Sequence, residues 1–288
     1  MLWVVFALAT AWCVSTGDAL TKKFFGRFSP LEMAVACSLY SLPFLCLALP
    51  FIPVPELGSG FWWLAGIVIP LDTVAFYLYM KAIKISPLSL CIPFLAFTPV
   101  FMLATGFVVL HEIPNSWGLV GVLLVVSGSY ILHAGRIEGG YLAPFQAIFK
   151  EPGSVLMLIV AILYSLLAVL GKKAIQLSSP LFFGFFFLAG LDIVTLLIFP
   201  LLGNIRWKAL LEGPAKGLSV GIMLSLHVLF HAIAISMVKA IYMIAVKRSS
   251  ILFSVVYGWL LFHESDIRNR MLGALLMFVG VACIMLLG

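Results

Sequence analysis

Ten apolar segments of roughly membrane-spanning length occupy nearly the whole chain, at about 2–21, 31–52, 61–82, 87–110, 117–135, 153–174, 181–202, 216–236, 239–262 and 269–287. A helix needs about 20 predominantly apolar residues to cross the hydrocarbon core of a bilayer. Of the 288 residues, 64% are hydrophobic and 10% charged, against about 25% charged in a soluble domain. No soluble fold of this size could hide so much apolar surface. The expected fold is an all-α membrane protein with ten transmembrane helices in a lipid bilayer. The formal charge of +6 comes from scattered basic residues, which in such a protein lie beside lipid headgroups. That scatter argues against nucleic acid as a partner.

The first segment has no basic leader and no small-residue cleavage pattern, so it reads as a retained span. No organellar transit sequence is visible, and a prokaryotic plasma (inner) membrane is expected. The five cysteines, Cys13, Cys37, Cys46, Cys91 and Cys283, all lie in apolar segments without a CxxC pair. Buried packing is expected for each, with no disulfide framework and no metal site. Connections after odd-numbered segments carry most of the Lys and Arg, which by the positive-inside rule puts both termini outside.

The two halves resemble each other. An offset of 152 residues lays His111-Glu112 on His263-Glu264, Gly106 on Gly258, Gly121 on Gly273, Gly128 on Gly280, Phe101 on Phe253 and Thr98 on Ser250. An offset of 150 lays Lys22-Lys23 on Lys172-Lys173 and Ser29-Pro30 on Ser179-Pro180. Two repeats are therefore expected, residues 1–140 and 141–288. Five spans each, an odd number, make the second repeat enter the membrane from the opposite side. Inverted repeats of this kind place a binding site near the midplane between the halves.

Lys247 and Arg248 sit side by side near the middle of the ninth segment. A charge at that depth costs roughly 2.5–3.5 kcal/mol on insertion scales and marks a functional site by default. Met243, Lys247, Ser250, Ser254 and Gly258 follow helical spacing and form one stripe. The competing reading is an ion pair that only locks helices together. In the fourth segment Pro93 and Pro99 each remove a backbone donor and bend the helix, and Thr98 is the repeat-mate of Ser250. Asp72, beside Thr73 in the third segment, is a candidate counter-ion or proton carrier, with Tyr77 and Tyr79 further along. Asp192 reads as a structural partner on a peripheral helix, and Asp18 as a residue near the end of the first span. His227 and His231 lie four apart on one helix face, suited to cavity polarity or proton handling, or to plain packing. Trp12 is a candidate cavity wall or a lipid-facing residue. His111-Glu112 and His263-Glu264 are not HExxH zinc motifs, because Asn115 and Ile267 stand where the second histidine would be.

Ten helices as five plus five, with VVLHE and LLFHE each followed by a Gly-rich helix (GLVGVLLVVSGSYIL, RMLGALLMFVGVACIML), resemble the EamA-like branch of the drug/metabolite transporter superfamily over essentially the whole chain. The resemblance implies a secondary transporter, with both termini cytoplasmic, in conflict with the Lys/Arg count. AVKRSSILFSV also resembles the ninth-helix motif of triose-phosphate/phosphate translocators and nucleotide-sugar transporters. In the phosphate translocators the adjacent Lys-Arg binds substrate phosphate, which implies that role for Lys247 and Arg248. Those translocators carry a further lysine four residues before a proline on the fourth helix. Here the proline is Pro99 and the residue is Leu95, so one cation of the trio is missing.

The expected function is secondary active transport of a small metabolite, in one reading an anion, through a central cavity between spans 1, 3, 4, 6, 8 and 9, with proton or exchange coupling. The alternatives are an exporter of amino acids or amphipathic drugs, and, in another class, a non-transporting membrane interaction or lipid-handling protein. Walker, glycine-rich nucleotide and Ser/His/Asp motifs are missing, so neither an enzyme nor a cofactor is expected.

Overall fold

The computed structural model describes residues 2–86, 91–134, 152–262 and 270–287. Every regular element among them is helical. In chain order they are α1 (Leu2–Phe25), α2 (Pro30–Ala48), α3 (Phe61–Ile85), a 3-10 segment (Ile92–Phe97) running into α4 (Thr98–Leu110), α5 (Ser116–Ala134), α6 (Pro152–Gln176), α7 (Pro180–Leu202), the short α8 (Trp207–Leu211), α9 (Pro214–Ser236), α10 (Ala240–Lys247), α11 (Ser250–Phe262) and α12 (Arg270–Leu287). Of these, α1, α2, α3, α6, α7 and α9 are each long and apolar enough to cross a membrane, and shorter apolar helices cover Phe94–Leu110, Ser116–Gly128 and Leu275–Leu287. The boundary expected at 140/141 lies outside the described residues, as does His263-Glu264.

The repeat is visible in the helix ends. Ser29 Oγ accepts the Glu32 N–H at 3.2 Å, and Glu32 Oε2 accepts the Ser29 N–H at 2.8 Å. This reciprocal capping box starts α2. Its repeat-mate Ser179 accepts the Phe182 N–H at 3.2 Å to start α7, and a proline at N1 pre-sets the first turn of both helices. Lys22 Nζ donates to the Ser86 carbonyl at 3.1 Å, and its mate Lys172 Nζ donates to the Val238 carbonyl at 2.6 Å. The His-Glu element closes α4. His111 takes a left-handed φ of 53°, and the Glu112 N–H reaches back to the Gly106 carbonyl, a left-handed helix stop of Schellman type. Glu112 then pairs with Lys172 and accepts the Ala240 N–H at 2.7 Å, so it also caps α10.

Packing obeys the same symmetry. α1 packs on α9, and its mate α6 packs on α3; α1 also meets α11, as α6 meets α4; α2 meets its mate α7, and α5 meets its mate α12. In the α5–α12 seam, a Cβ on Gly121 would lie 2.8 Å from the Gly280 carbonyl oxygen, and one on Gly128 would lie 2.6 Å from that of Gly273. The pairs Gly121–Gly280 and Gly128–Gly273 run in opposite directions, so these helices pack antiparallel, each presenting to its mate the surface that the mate presents to it. Small residues let helix backbones approach this closely in a membrane, where dispersion contacts replace the hydrophobic effect.

Two helices break where the sequence has them bend. Pro93 and Pro99 do not kink one continuous helix: each stands in the first turn of a helical piece, the 3-10 segment and α4. In the repeat-mate, α10 stops at Lys247 and α11 restarts at Ser250. Between them Ser249, Ile251 and Leu252 donate to carbonyls three residues back, the tighter 3-10 pattern. Thr98 and Ser250 thus both open the second half of a broken helix.

Candidate functional site

A cavity of about 200 Å³ lies between the two repeats, walled by residues from α1, α2, α3, α6, α7, α9 and α10, from the 3-10 segment, and by Arg248 in the break after α10. Its lining is mostly apolar, and its charges stand out: Asp18, Asp72, Lys172, Lys247 and Arg248. Lys247 Nζ lies 2.9 Å from His227 Nε2 and 3.2 Å from His231 Nδ1. An ammonium has three N–H donors. With both rings accepting, one donor remains unspent. The histidines thus hold the lysine in place, and their four-residue spacing on α9 is what brings both rings to it.

Arg248 is 4% exposed and donates from Nη2 to Thr98 Oγ1 at 2.8 Å. Its buried Nε has no acceptor among the described residues. The break positions this guanidinium, and the matching break in the first repeat supplies Thr98, so the two discontinuities meet through one hydrogen bond. Tyr79 Oη donates to Asp18 Oδ2 at 2.5 Å, and the Tyr79 and Tyr164 rings lie 6.3 Å apart. Asp18 and Asp72 are both within electrostatic reach of Lys247, and the two tyrosines within that of Arg248. The cavity therefore offers both N–H donors and carboxylates within a mostly apolar lining.

Of the residues singled out from sequence, Lys247, Arg248, Asp72, His227 and His231 line this cavity together. Thr98 is fully buried and touches it only through Arg248. Ser250 is buried behind the wall, and Ser254 Oγ bonds Ser15 Oγ at 2.8 Å, tying α11 to α1. The expected stripe fails because the 3-10 turn after Lys247 resets the helical register. Tyr77 points away from the cavity and packs on Phe199 with ring centroids 6.0 Å apart. Trp12 is 44% exposed on the outer face of α1 and is no cavity wall. An indole has no reason to turn inward when lipid accepts it equally well. The same physics corrects the cysteines: Cys46 is exposed and Cys283 half-buried, whereas Cys13, Cys37 and Cys91 are buried.

Sequence reasoning undervalued Asp18 and missed Tyr164. Asp18 looked terminal because the first span was closed at residue 21, but α1 runs on to Phe25. An ionisable residue inside an apolar helix was the available signal. Tyr164 carried none, since tyrosine is common in membrane helices. Also missed was the part played by α2 and α7, which supply Cys37, Phe183, Phe187 and Leu191 to the wall.

The class that this fold and cavity define is a multi-pass membrane transporter built from two helical repeats. The family model of the EamA-like transporter family matches residues 1–133 and 151–286, and the chain belongs to that family. A solved crystal structure is similar over 99% of this chain and 96% of its own, with a TM-score of 0.70 at 16% identity, a likeness that shows the fold alone. No curated protein matches the sequence.

Proposed function

We propose that the protein is a secondary transporter of a small metabolite, with ten spans in two inverted repeats that rock about the central cavity to expose it to each side in turn. The solute's anionic group, a carboxylate or phosphate, sits at Lys247 and Arg248. The observation that carries this reading is the Arg248 Nε–H, buried and without an acceptor among the described residues, beside the fixed Lys247 ammonium. A buried donor left unmet costs about 1–3 kcal/mol, and an anionic oxygen meets it with the short, strong bond that guanidinium makes to carboxylate or phosphate. The antiparallel glycine seam and the symmetric packing support the inverted arrangement, a layout in which the binding site lies between the repeats. The cavity volume of about 200 Å³ falls below the roughly 300–1,000 Å³ of sites for drug-sized ligands. This favours a solute smaller than a nucleotide sugar, in keeping with Leu95 in place of a third cation.

A second reading keeps the transporter and changes the cargo. Asp18 and Asp72 line the same cavity, and the rest of the wall is apolar. A zwitterionic amino acid or an amphipathic amine would use the carboxylates, leaving the cations as internal partners. Thermal unfolding of the purified protein with inorganic phosphate, sugar phosphates, carboxylates, amino acids and organic cations separates the two. A ligand at 100 times its Kd stabilises the native state by about 2.7 kcal/mol. The proposal expects stabilisation by one class of small organic anion. Stabilisation by amines alone would contradict it.

A further inference from the structure

We propose that Asp192 carries the proton that drives transport, bound at a site where α2 and α7, one helix from each repeat, meet. The inference rests on the transporter reading above. Ser41 Oγ lies 2.6 Å from Asp192 Oδ2 and 2.8 Å from the Ser38 carbonyl oxygen. A hydroxyl has one hydrogen to donate. If Asp192 is a carboxylate, Ser41 faces two acceptors with one hydrogen. If Asp192 is protonated, Oδ2–H donates to Ser41 Oγ, and Ser41 donates to the Ser38 carbonyl. The protonated arrangement gives each short contact its own hydrogen, where the carboxylate form would have to share one hydrogen between two acceptors.

The surroundings agree. Asp192 is 0% exposed, and no Lys, Arg or His among the described residues bonds it. Among the described residues, its Oδ1, Ser38 Oγ and Thr195 Oγ1 make no hydrogen bond of ordinary length, and both hydroxyls are fully buried, although the Ser38 hydroxyl already lies close enough to act on the Asp192 carboxyl. A lone ionised carboxylate so placed would be strongly unfavourable. Of the titratable and charged groups on the neighbouring helices, Cys37 on α2, Asp72 and Tyr79 on α3, Tyr164 and Lys172 on α6, and His227 and His231 on α9 line the cavity. Tyr77 packs on Phe199 of α7, Tyr40 is tied to the Leu210 carbonyl and Glu32 to Arg206. Cys46 on α2, Lys81 and Lys84 on α3, Lys173 on α6 and Lys216 on α9 are the others. Cys37 is within electrostatic reach of Asp192, which does not itself line the cavity.

Coupling follows from where the site stands. Ser38 and Ser41 belong to the first repeat, Asp192 and Thr195 to the second, so rocking of the repeats shears the site. In the present packing the Thr195 hydroxyl makes no hydrogen bond among the described residues, and the Ser38 hydroxyl sits near the carboxyl without a bond of ordinary length. A shift that turns them onto Asp192 gives its carboxylate three O–H donors and favours the ionised form. Proton affinity then differs between the two conformers, and that difference is what a proton gradient needs in order to bias them.

Two readouts test the site. Infrared difference spectra of the purified protein, taken against pH, should show a protonated carboxylic C=O band that Asp192→Asn removes and Ser41→Ala shifts in pH midpoint. In proteoliposomes, a pH gradient should drive solute accumulation by wild type. Asp192→Asn should pass solute downhill yet lose at least about 10-fold of gradient-driven accumulation, the loss of some 1.4 kcal/mol of coupling. Unchanged accumulation on a pH gradient in Asp192→Asn overturns the proposal. So does accumulation that follows a sodium gradient instead, or a carboxylic band that the substitution leaves in place. If wild type moves no solute at all, the transporter reading fails, while the infrared band still decides whether Asp192 holds the proton.

Discussion

Lys247→Ala combined with Arg248→Ala is expected to weaken solute binding by at least about 100-fold while the helices remain assembled. Hydrogen bonds to charged groups contribute about 1.5–3 kcal/mol each, and the double variant removes the two cationic donors at the α10 break, leaving only Lys172, which is paired with Glu112. Titration calorimetry or thermal unfolding with the stabilising anion reads the loss, and circular dichroism checks that the helices persist. Arg248→Lys separates charge from geometry. A lysine there keeps the positive charge but has no fork and no Nε–H to replace the buried donor. Binding in that variant should fall between wild type and the double alanine. If Arg248→Lys binds as wild type does, the orphaned Nε–H is not where the solute anchors.

The second large effect concerns assembly. Gly121→Val should destabilise the protein by about 1–3 kcal/mol, the usual range for overpacking a tight interface. The first added carbon already lies 2.7 Å from Ile284 Cγ1 and 2.8 Å from the Gly280 carbonyl oxygen. A carbonyl cannot turn aside as a side chain can. Gly66 on α3 is the control, because a Cβ there meets nothing within 4 Å. Gly66→Ala should hold stability or raise it by up to about 1 kcal/mol, since alanine favours a helix more than glycine does. Melting temperatures of the two variants in one detergent give the comparison. Equal stability of Gly121→Val and wild type would remove the glycine seam from the account.

What the sequence could reveal was set by which physical signals survive in a membrane. The helical class was legible because apolar runs near 20 residues have few other destinations. The repeat was legible because paired glycines and the His-Glu element recur at one offset, and the seam explains why those glycines are there. Lys247, Arg248 and Asp72 were legible because charge is expensive in hydrocarbon. The register beyond Lys247 was not, because a 3-10 turn shifts the facing of Ser250 and Ser254 without any breaker residue to announce it. Trp12, Tyr77 and Cys46 were not legible because lipid and protein core are equally apolar, so composition cannot say which side of a helix faces inward. Asp192 looked peripheral for the same reason. Only its contact with Ser41 on the mate helix shows that it lies between the repeats.

Solute counterflow in proteoliposomes tests the central claim most directly. Vesicles holding the purified protein are loaded with the unlabelled anion that stabilises it, then diluted into a trace of the labelled form. The account predicts transient, saturable uptake of label well above protein-free vesicles. Uptake no faster than in protein-free vesicles, with the protein folded and the anion bound, would contradict it and leave the cavity a binding site without a transport path.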